Sequence, residues 1–185
     1  MRRFNTILVF LCLIIPVVPK NRQNTLNRED IRVYMLFAGD AMQHIPQILA
    51  ARNDDGGYSY DSCFYLVKDK IIHADLAGIN FETTLGGKPY TGYPTFSSPD
   101  EFAVSLKDAG FDIFFLANNH AVDRGQKGLE RTISFLDSVD IKHTGTFKSE
   151  ETRDLFYPLI VIKNGIRIAF LNYTYDTNGL KVKHP

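Results

Sequence analysis

The sequence predicts an α/β sheet with helices on its faces. Apolar, β-branched or aromatic runs recur at 31–38, 75–80 and 112–117, and each stops in a polar loop. Segments with helical spacing of apolar residues follow those loops. In such a fold the chemistry gathers where strands end.

The N-terminus precedes this pattern. Arg2 and Arg3 stand before an apolar run from Ile7 to Val18, interrupted by Pro16, with polar residues from Lys20 onward. That is the layout of a secretory signal peptide. The run is shorter than the roughly 20 residues that span a bilayer, which favours export, cleaved or uncleaved, while an N-terminal membrane anchor and a buried helix are the alternatives. Residues 1–18 are assigned to this segment, 19–30 to a polar linker, and 31–185 to one domain, a size at which a single core forms.

Within the domain, Ile31 to Ala38 reads as a buried strand ending at Gly39 and Asp40. A short helix follows around Ile45 to Ala51, and Gly56 and Gly57 mark a loop. Phe64, Val67 and Ile71 predict a helix over 61–72, and Asp75 to Asn80 a second strand running into a loop at Glu82 to Gly87. Ser98, Pro99 and Glu101 spell a helix start, with Ser98 as cap, Pro99 at the first helical position and Glu101 closing a capping box. Gly110 ends that helix. Asp112 to Ala117 is a third strand, and Leu129, Ile133 and Leu136 lie on one face of the helix beyond the next loop. Asn164 and Gly165 between two apolar runs, 160–162 and 166–173, spell a two-residue hairpin, so the late part is antiparallel.

Composition excludes some partners. Lys plus Arg and Asp plus Glu are both 21, a formal charge of zero, so no basic excess points to nucleic acid. Of the two cysteines, Cys12 lies in the N-terminal run and Cys63 stands alone, which leaves no intramolecular disulfide in a processed chain.

Three strand ends carry polar clusters: FAGDAM at 37–42, GINFETTL at 78–85 and LANNHAVDRG at 116–125. They offer Asp40, Asn80, Glu82, Asn118, Asn119, His120 and Asp123. Carboxylate, amide oxygen and imidazole at one sheet edge suit a divalent cation such as Mn, Fe or Zn, singly or as a pair. Such ions hold a phosphoryl oxygen and sharpen a water while an imidazolium protonates the leaving oxygen. Each residue also has a plainer reading. Asp40 or the Asn118–Asn119 pair can simply form turns, Asn80 is best read as an Asx-turn, and Asp123 either caps the next helix or orients His120. His44 lies close enough in sequence to approach the site, Arg124 could meet an anionic substrate, and Tyr173 and Tyr175 line either a groove or ordinary packing.

FAGDAM, GINFET and the long segment LANNHAVDRGQKGLERTISFLDSVDIKHTG resemble, in order, the N-terminal motifs of the CapA, or poly-γ-glutamate capsule (PGA_cap), family. The resemblance runs from about Ile31 to Tyr173, and the third motif is specific because it continues through the following helix. It implies a metallophosphatase-like, calcineurin-like layered sandwich in which helices flank a mixed β-sheet. It also implies Asp40, Glu82 and Asn119 as metal ligands and His120 as general acid, and in that mechanism Asp123 is expected to steer His120. Met42 stands where the phosphoesterase pattern has a histidine ligand, a change that CapA-like sequences share. Related proteins continue past the strand at 166–173 with histidines that complete the site, whereas here only His184 follows. The expectation is therefore the N-terminal part of a CapA domain with an incomplete metal site. The implied role is capsule or poly-γ-glutamate synthesis by an exported protein, at the outer face of the cell membrane, in the periplasm or on the cell surface. Its partner would be the capsule polymer or its synthesis complex. The rivals are a non-catalytic assembly or export component that keeps the fold, and an inactive fragment.

Overall fold

A computed structural model describes residues 30–182; the signal or anchor segment 1–18 and residues 19–29 of the linker lie outside the described residues. Contacts divide the chain into Met1–Asp30 and Ile31–Pro185, and the architecture is that of the second unit. In chain order it contains β1 (Met35–Ala38), α1 (Ile45–Ala50), α2 (Asp61–Phe64), α3 (Lys68–Ile72), β2 (Leu76–Asn80) and α4 (Asp100–Asp108). Then follow β3 (Ile113–Phe115), α5 (Gly125–Ser138), β4 (Lys142–Thr144), α6 (Glu150–Phe156), β5 (Leu159–Lys163) and β6 (Ile166–Phe170). No helix among the described residues is long and apolar enough to cross a membrane.

The fold is α/β. Strands β1 to β4 form a parallel sheet in sequence order, and β5 and β6 form a separate antiparallel pair. Parallel neighbours need crossovers, which the intervening helical segments supply. Alternation along each strand then sorts side chains into two layers. Ala77, Ile79 and Phe114 join Phe102, Leu106, Leu129, Ile133 and Leu136 in the core on the helical side. Leu76 and Ile113 face the other way and pack with Phe170, Leu159, Val161 and Ile168 of the hairpin.

Gly78 lets this second layer close. A Cβ there would lie 2.6 Å from the Phe115 ring and 3.2 Å from that of Phe37, so the missing side chain admits both aromatics over β2. Phe37, Phe115 and Phe170 meet with ring centroids 5.8–6.5 Å apart, a favourable aromatic spacing. The hairpin covers β2 and β3 more fully than the edge strand, and Met35 and Phe37 stay 45% and 58% exposed.

The hairpin turns where the sequence places it. Asn164 and Gly165 have φ of 50° and 77°, as a two-residue turn of the primed type demands. Asn164 Nδ2 donates to the Arg32 carbonyl at 2.9 Å and to Asp75 Oδ1 at 3.2 Å, while Asp75 Oδ2 accepts the Tyr34 N–H at 2.8 Å. The turn is thereby tied to the start of the first two strands.

Three sequence expectations need correction. The buried strand expected over 31–38 is a strand over Met35–Ala38 alone, and every residue of 31–38 is half-buried or exposed because it lies at the edge of the sheet. The helix expected over 61–72 is split into α2 and α3. Phe64 and Ile71 do face the core, but Tyr65 and Leu66 between them are 79% and 86% exposed, so no burial holds the intervening turn as helix. Ser98 does not cap α4. It is buried, with its hydroxyl 3.0 Å from Thr83 Oγ1, and Pro99 takes the cap position without a side-chain bond. Asp100 and Glu101 supply the negative charge that the first turn favours.

The layering predicts unequal costs of truncation. Phe114 is fully buried, so Phe114→Ala is expected to lower the unfolding free energy by about 3–5 kcal/mol. Phe37→Ala at the half-exposed edge should cost about 1 kcal/mol or less. Urea titrations followed by circular dichroism would check both, and equal losses would contradict the assignment of layers.

Candidate functional site

Parallel pairing carries the ends of β1, β2 and β3 to one edge of the sheet, and backbone bonds lock the loops there. The Ala41 N–H donates to the Asn80 carbonyl at 2.8 Å, the Glu82 N–H to Ala41 at 3.0 Å, and the Phe81 N–H to Phe115 at 2.9 Å. Asp40, two residues past β1, has φ of 40°, a left-handed conformation that Asp tolerates better than most residues. It is the position at which the first loop leaves the strand.

Asn80 is the hub. Its Nδ2 donates to Asp40 Oδ1 at 2.9 Å and to Glu82 Oε2 at 2.7 Å. Its Oδ1 accepts from Asn118 Nδ2 at 3.2 Å, which also reaches the Phe81 carbonyl at 3.0 Å. The Asx-turn reading of Asn80 is thus replaced by a bridge between two carboxylates. Asn80 and Glu82 sit two residues apart at a strand end, so alternation turns both side chains the same way. Asn118 in turn accepts the His120 N–H at 3.1 Å, so its amide shapes the third loop from inside.

The electrostatics follow from this crowding. Burial, followed by the neighbouring Asp40, raises the Glu82 carboxyl above its ordinary pKa, with His120 and Asn80 opposing. The Asn80 amide, then the bond to Glu82, lower Asp40 against a smaller desolvation effect. The pair therefore splits, with Glu82 keeping its proton longer than Asp40 does. Among the groups acting on Glu82 the charge that opposes Asp40 is that of His120, not of a lysine or arginine.

His120 and Asp123 form the second part of the site. His120 Nδ1 lies 2.7 Å from Asp123 Oδ2, and their side chains are 10% and 1% exposed. An ionised carboxylate only accepts hydrogen bonds, so Nδ1 carries the proton toward Asp123 and Nε2 is the nitrogen left for chemistry. The same Asp123 oxygen accepts the Phe96 N–H at 2.6 Å, and Oδ1 is buried without a partner. Asp123 orients His120 and does not cap α5, whose N-cap is Arg124. The Phe96 ring packs edge-on to His120 with centroids 4.7 Å apart, and His44 packs on Phe96 at 5.3 Å. Sequence reading overlooked Phe96, because its link to His120 depends on a strap between β2 and α4 that no local pattern reveals.

Asn119 is half-buried and stands apart from the Asn80 network, donating through Nδ2 to Asn178 Oδ1 at 3.3 Å. That bond leaves Asn119 Oδ1 as the atom available to a ligand. Arg124 Nη1 donates to the Pro89 carbonyl at 2.8 Å, which ties its side chain to the segment between β2 and α4. Tyr173 packs on Tyr157 at 5.5 Å, and Tyr175 is fully exposed. Beside Asp40 a cavity of about 520 Å³ runs toward the helical core, lined by Met42, Tyr60, Phe64 and Phe102 among others.

Two converging carboxylates suit a hard or borderline ion, but the amide between them turns its Nδ2 donor toward both. No group of three or more His, Cys, Asp or Glu among the described residues could hold a metal, so the fit depends on an amide oxygen as third ligand.

The Asp40–Glu82 pair predicts a pH signature in metal-free protein. A carboxyl raised in the fold binds its proton more tightly there than in the unfolded chain, so its contribution to stability falls as pH rises through the carboxylate range. Glu82→Gln removes that loss. Relative to the parent, the variant should be near-equal in Tm at low pH and gain Tm toward neutrality, by thermal unfolding in chelator; a gain that shrinks as pH rises would refute the assignment.

Comparison with known proteins adds the context of relatives. The family model described as bacterial capsule synthesis protein PGA_cap matches residues 34–185. The chain is 27% identical over 157 residues to the capsule biosynthesis protein CapA of Bacillus anthracis, covering 80% of this chain and 36% of that protein. It is 27% identical over 156 residues to the PGA biosynthesis protein CapA of Bacillus subtilis (strain 168), covering 77% of this chain and 37% of that one. The chain thus spans little more than a third of the length of these relatives.

Proposed function

The chain belongs to the bacterial capsule synthesis protein family PGA_cap, which its residues 34–185 match, and from that premise we propose a metal-dependent phosphoesterase-like site serving capsule or poly-γ-glutamate synthesis. The observation that carries the reading is the meeting of Asp40 and Glu82 on one amide, beside the His120–Asp123 pair.

In this reading Asp40, Glu82 and the Oδ1 of Asn119 hold a divalent ion, Mn, Fe or Zn, or a pair of ions. When bound, such an ion polarises a phosphoryl oxygen and lowers the pKa of a water. The chain's own residues do the rest. As an imidazolium, His120 commits one proton to Asp123 and presents the other at Nε2, from which it passes to the leaving oxygen. Asp123, held by the Phe96 N–H, keeps the ring from rotating. Phe96 against the ring limits water on that side. We place the working protein outside the cytoplasm, at the outer face of the cell membrane, because Arg2 and Arg3 lead an apolar run of the signal-peptide kind.

A second reading has an observation of its own. Because no three His, Cys, Asp or Glu side chains gather for a metal among the described residues, the fold could instead serve as a non-catalytic component that binds capsule polymer or its synthesis complex at the membrane. Purified chain would be analysed for bound Mn, Fe and Zn and assayed on p-nitrophenyl phosphate. The first reading expects bound metal and a loss of about 10²–10⁴-fold in turnover for His120→Ala. Metal-free protein whose turnover His120→Ala leaves unchanged would sink it. Capture of capsule synthesis subunits from membranes, with no metal-dependent turnover, would favour the second.

A further inference from the structure

The segment that follows β6 returns across the third strand-end loop and touches it twice. First, Asn172 straddles Ala117, accepting its N–H at Oδ1 (2.7 Å) and donating from Nδ2 to its carbonyl (3.4 Å). The fit is close: a Cβ on Gly145 would lie 2.1 Å from Asn172 Oδ1. Second, Asn178 Oδ1 accepts from Asn119 Nδ2 at 3.3 Å, and its Nδ2 lies 3.5 Å from His120 Nδ1. The latter is an approach between two donors, since Nδ1 gives its proton to Asp123, so the working bond is the one to Asn119.

Between these contacts the segment is braced locally. Asp176 Oδ1 accepts the Thr177 N–H at 2.7 Å and the Gly179 N–H at 3.4 Å, and Thr177 Oγ1 donates to the Leu180 carbonyl at 2.6 Å. Asn178 itself has φ of 53° and Gly179 of 73°. Asn accepts that left-handed geometry more readily than most residues, so the turn delivers this amide to Asn119.

We propose that Asn178 is a positioning residue for the site, resting on the metal-ligand reading of Asn119 given above. An amide can present either its oxygen or its nitrogen to an ion, and the two ends differ by a half-turn of the terminal torsion. Asn178 Oδ1 accepts only from the nitrogen end. By holding Nδ2 it fixes Oδ1 as the outward atom, as outer-shell hydrogen bonds orient the side chains that ligate metals.

The test uses the full chain and three proteins: the parent, Asn178→Gly and Asn178→Asp. Glycine removes the amide without straining the left-handed turn, and aspartate keeps an oxygen acceptor where Oδ1 stands. Two quantities are read: the Asn119 side-chain NH₂ signal in metal-free protein by ¹⁵N–¹H NMR, and the Mn²⁺ dissociation constant by calorimetry. Asn178→Gly should move the Asn119 signal to the position of a solvated amide and weaken Mn²⁺ by about 10–100-fold; Asn178→Asp should restore a hydrogen-bonded signal and most of the affinity. An Asn119 signal identical in all three proteins would overturn the proposal, as would Mn²⁺ affinity unchanged in Asn178→Gly. If the parent takes up no Mn²⁺, the metal reading fails separately, and the Asn119 signal alone decides whether Asn178 holds that side chain. Backbone spectra of Asn178→Gly that show unfolding would pass the decision to Asn178→Ser, whose side chain is too short to span to Asn119 and which should behave as the glycine variant does.

Discussion

Parallel pairing is the constraint on which the rest of this structure depends. Because β1, β2 and β3 run the same way in adjacent positions, their carboxyl ends meet at one edge, and loops far apart in sequence are forced together there. Asp40 and Asn80, separated by 40 residues, hydrogen-bond because the register sets Ala38 beside Ile79. The buried apolar faces of β2 and β3 hold that register. The polar site is therefore a by-product of burial elsewhere: Ile79 and Phe114 point into the helical core, and Asn80 and the loop beyond β3 are carried to the rim.

Within that frame the site consists of two subsites with different electrostatic logic. At Asp40 and Glu82 two carboxyl groups are bridged by a neutral amide and shifted in opposite directions, with His120 favouring the charged form of Glu82. At His120 and Asp123 an imidazole and a carboxylate are buried together with a backbone donor from Phe96, and Asp123 Oδ1 has no partner. A structure that merely needed stability would seldom keep the first arrangement. The chain belongs to the family described as bacterial capsule synthesis protein PGA_cap, and the metallophosphatase-like character of that family agrees with the α/β sheet and its flanking helices.

Much of the fold could be read from residues because its cues are local. The apolar runs ending at Ala38, Asn80 and Ala117 mark strand ends, and Asn164–Gly165 marks a turn whose φ values the sequence dictates. The misreadings share a cause. Ser98 has every local feature of a helix cap, yet its hydroxyl is engaged with Thr83, fifteen residues earlier. Asn80 has the composition of an Asx-turn, yet its partner Asp40 is in the loop beyond another strand. The 61–72 segment has the right spacing, but exposure of Tyr65 and Leu66 removes the burial that would keep it one helix. Asp123 reads equally as a helix cap or as the partner of His120, and only the 2.7 Å distance to His120 separates the two. Local pattern identifies which residues are polar at a strand end; which of them meet is fixed by register and by strap segments such as 86–98, which carry no signature of their own.

The three asparagines of the last segment give the molecule an order of assembly. Asn164 reaches back 132 residues to Arg32, Asn172 reaches 55 to Ala117, and Asn178 reaches 59 to Asn119. Contacts of such sequence separation form slowly, because a long loop must close before they contribute. The strand-end cluster can collect its carboxylates and its histidine while the C-terminal residues are still being made. Its third-loop amide is secured only after Asn178 has emerged, so that amide is held later than the carboxylates are.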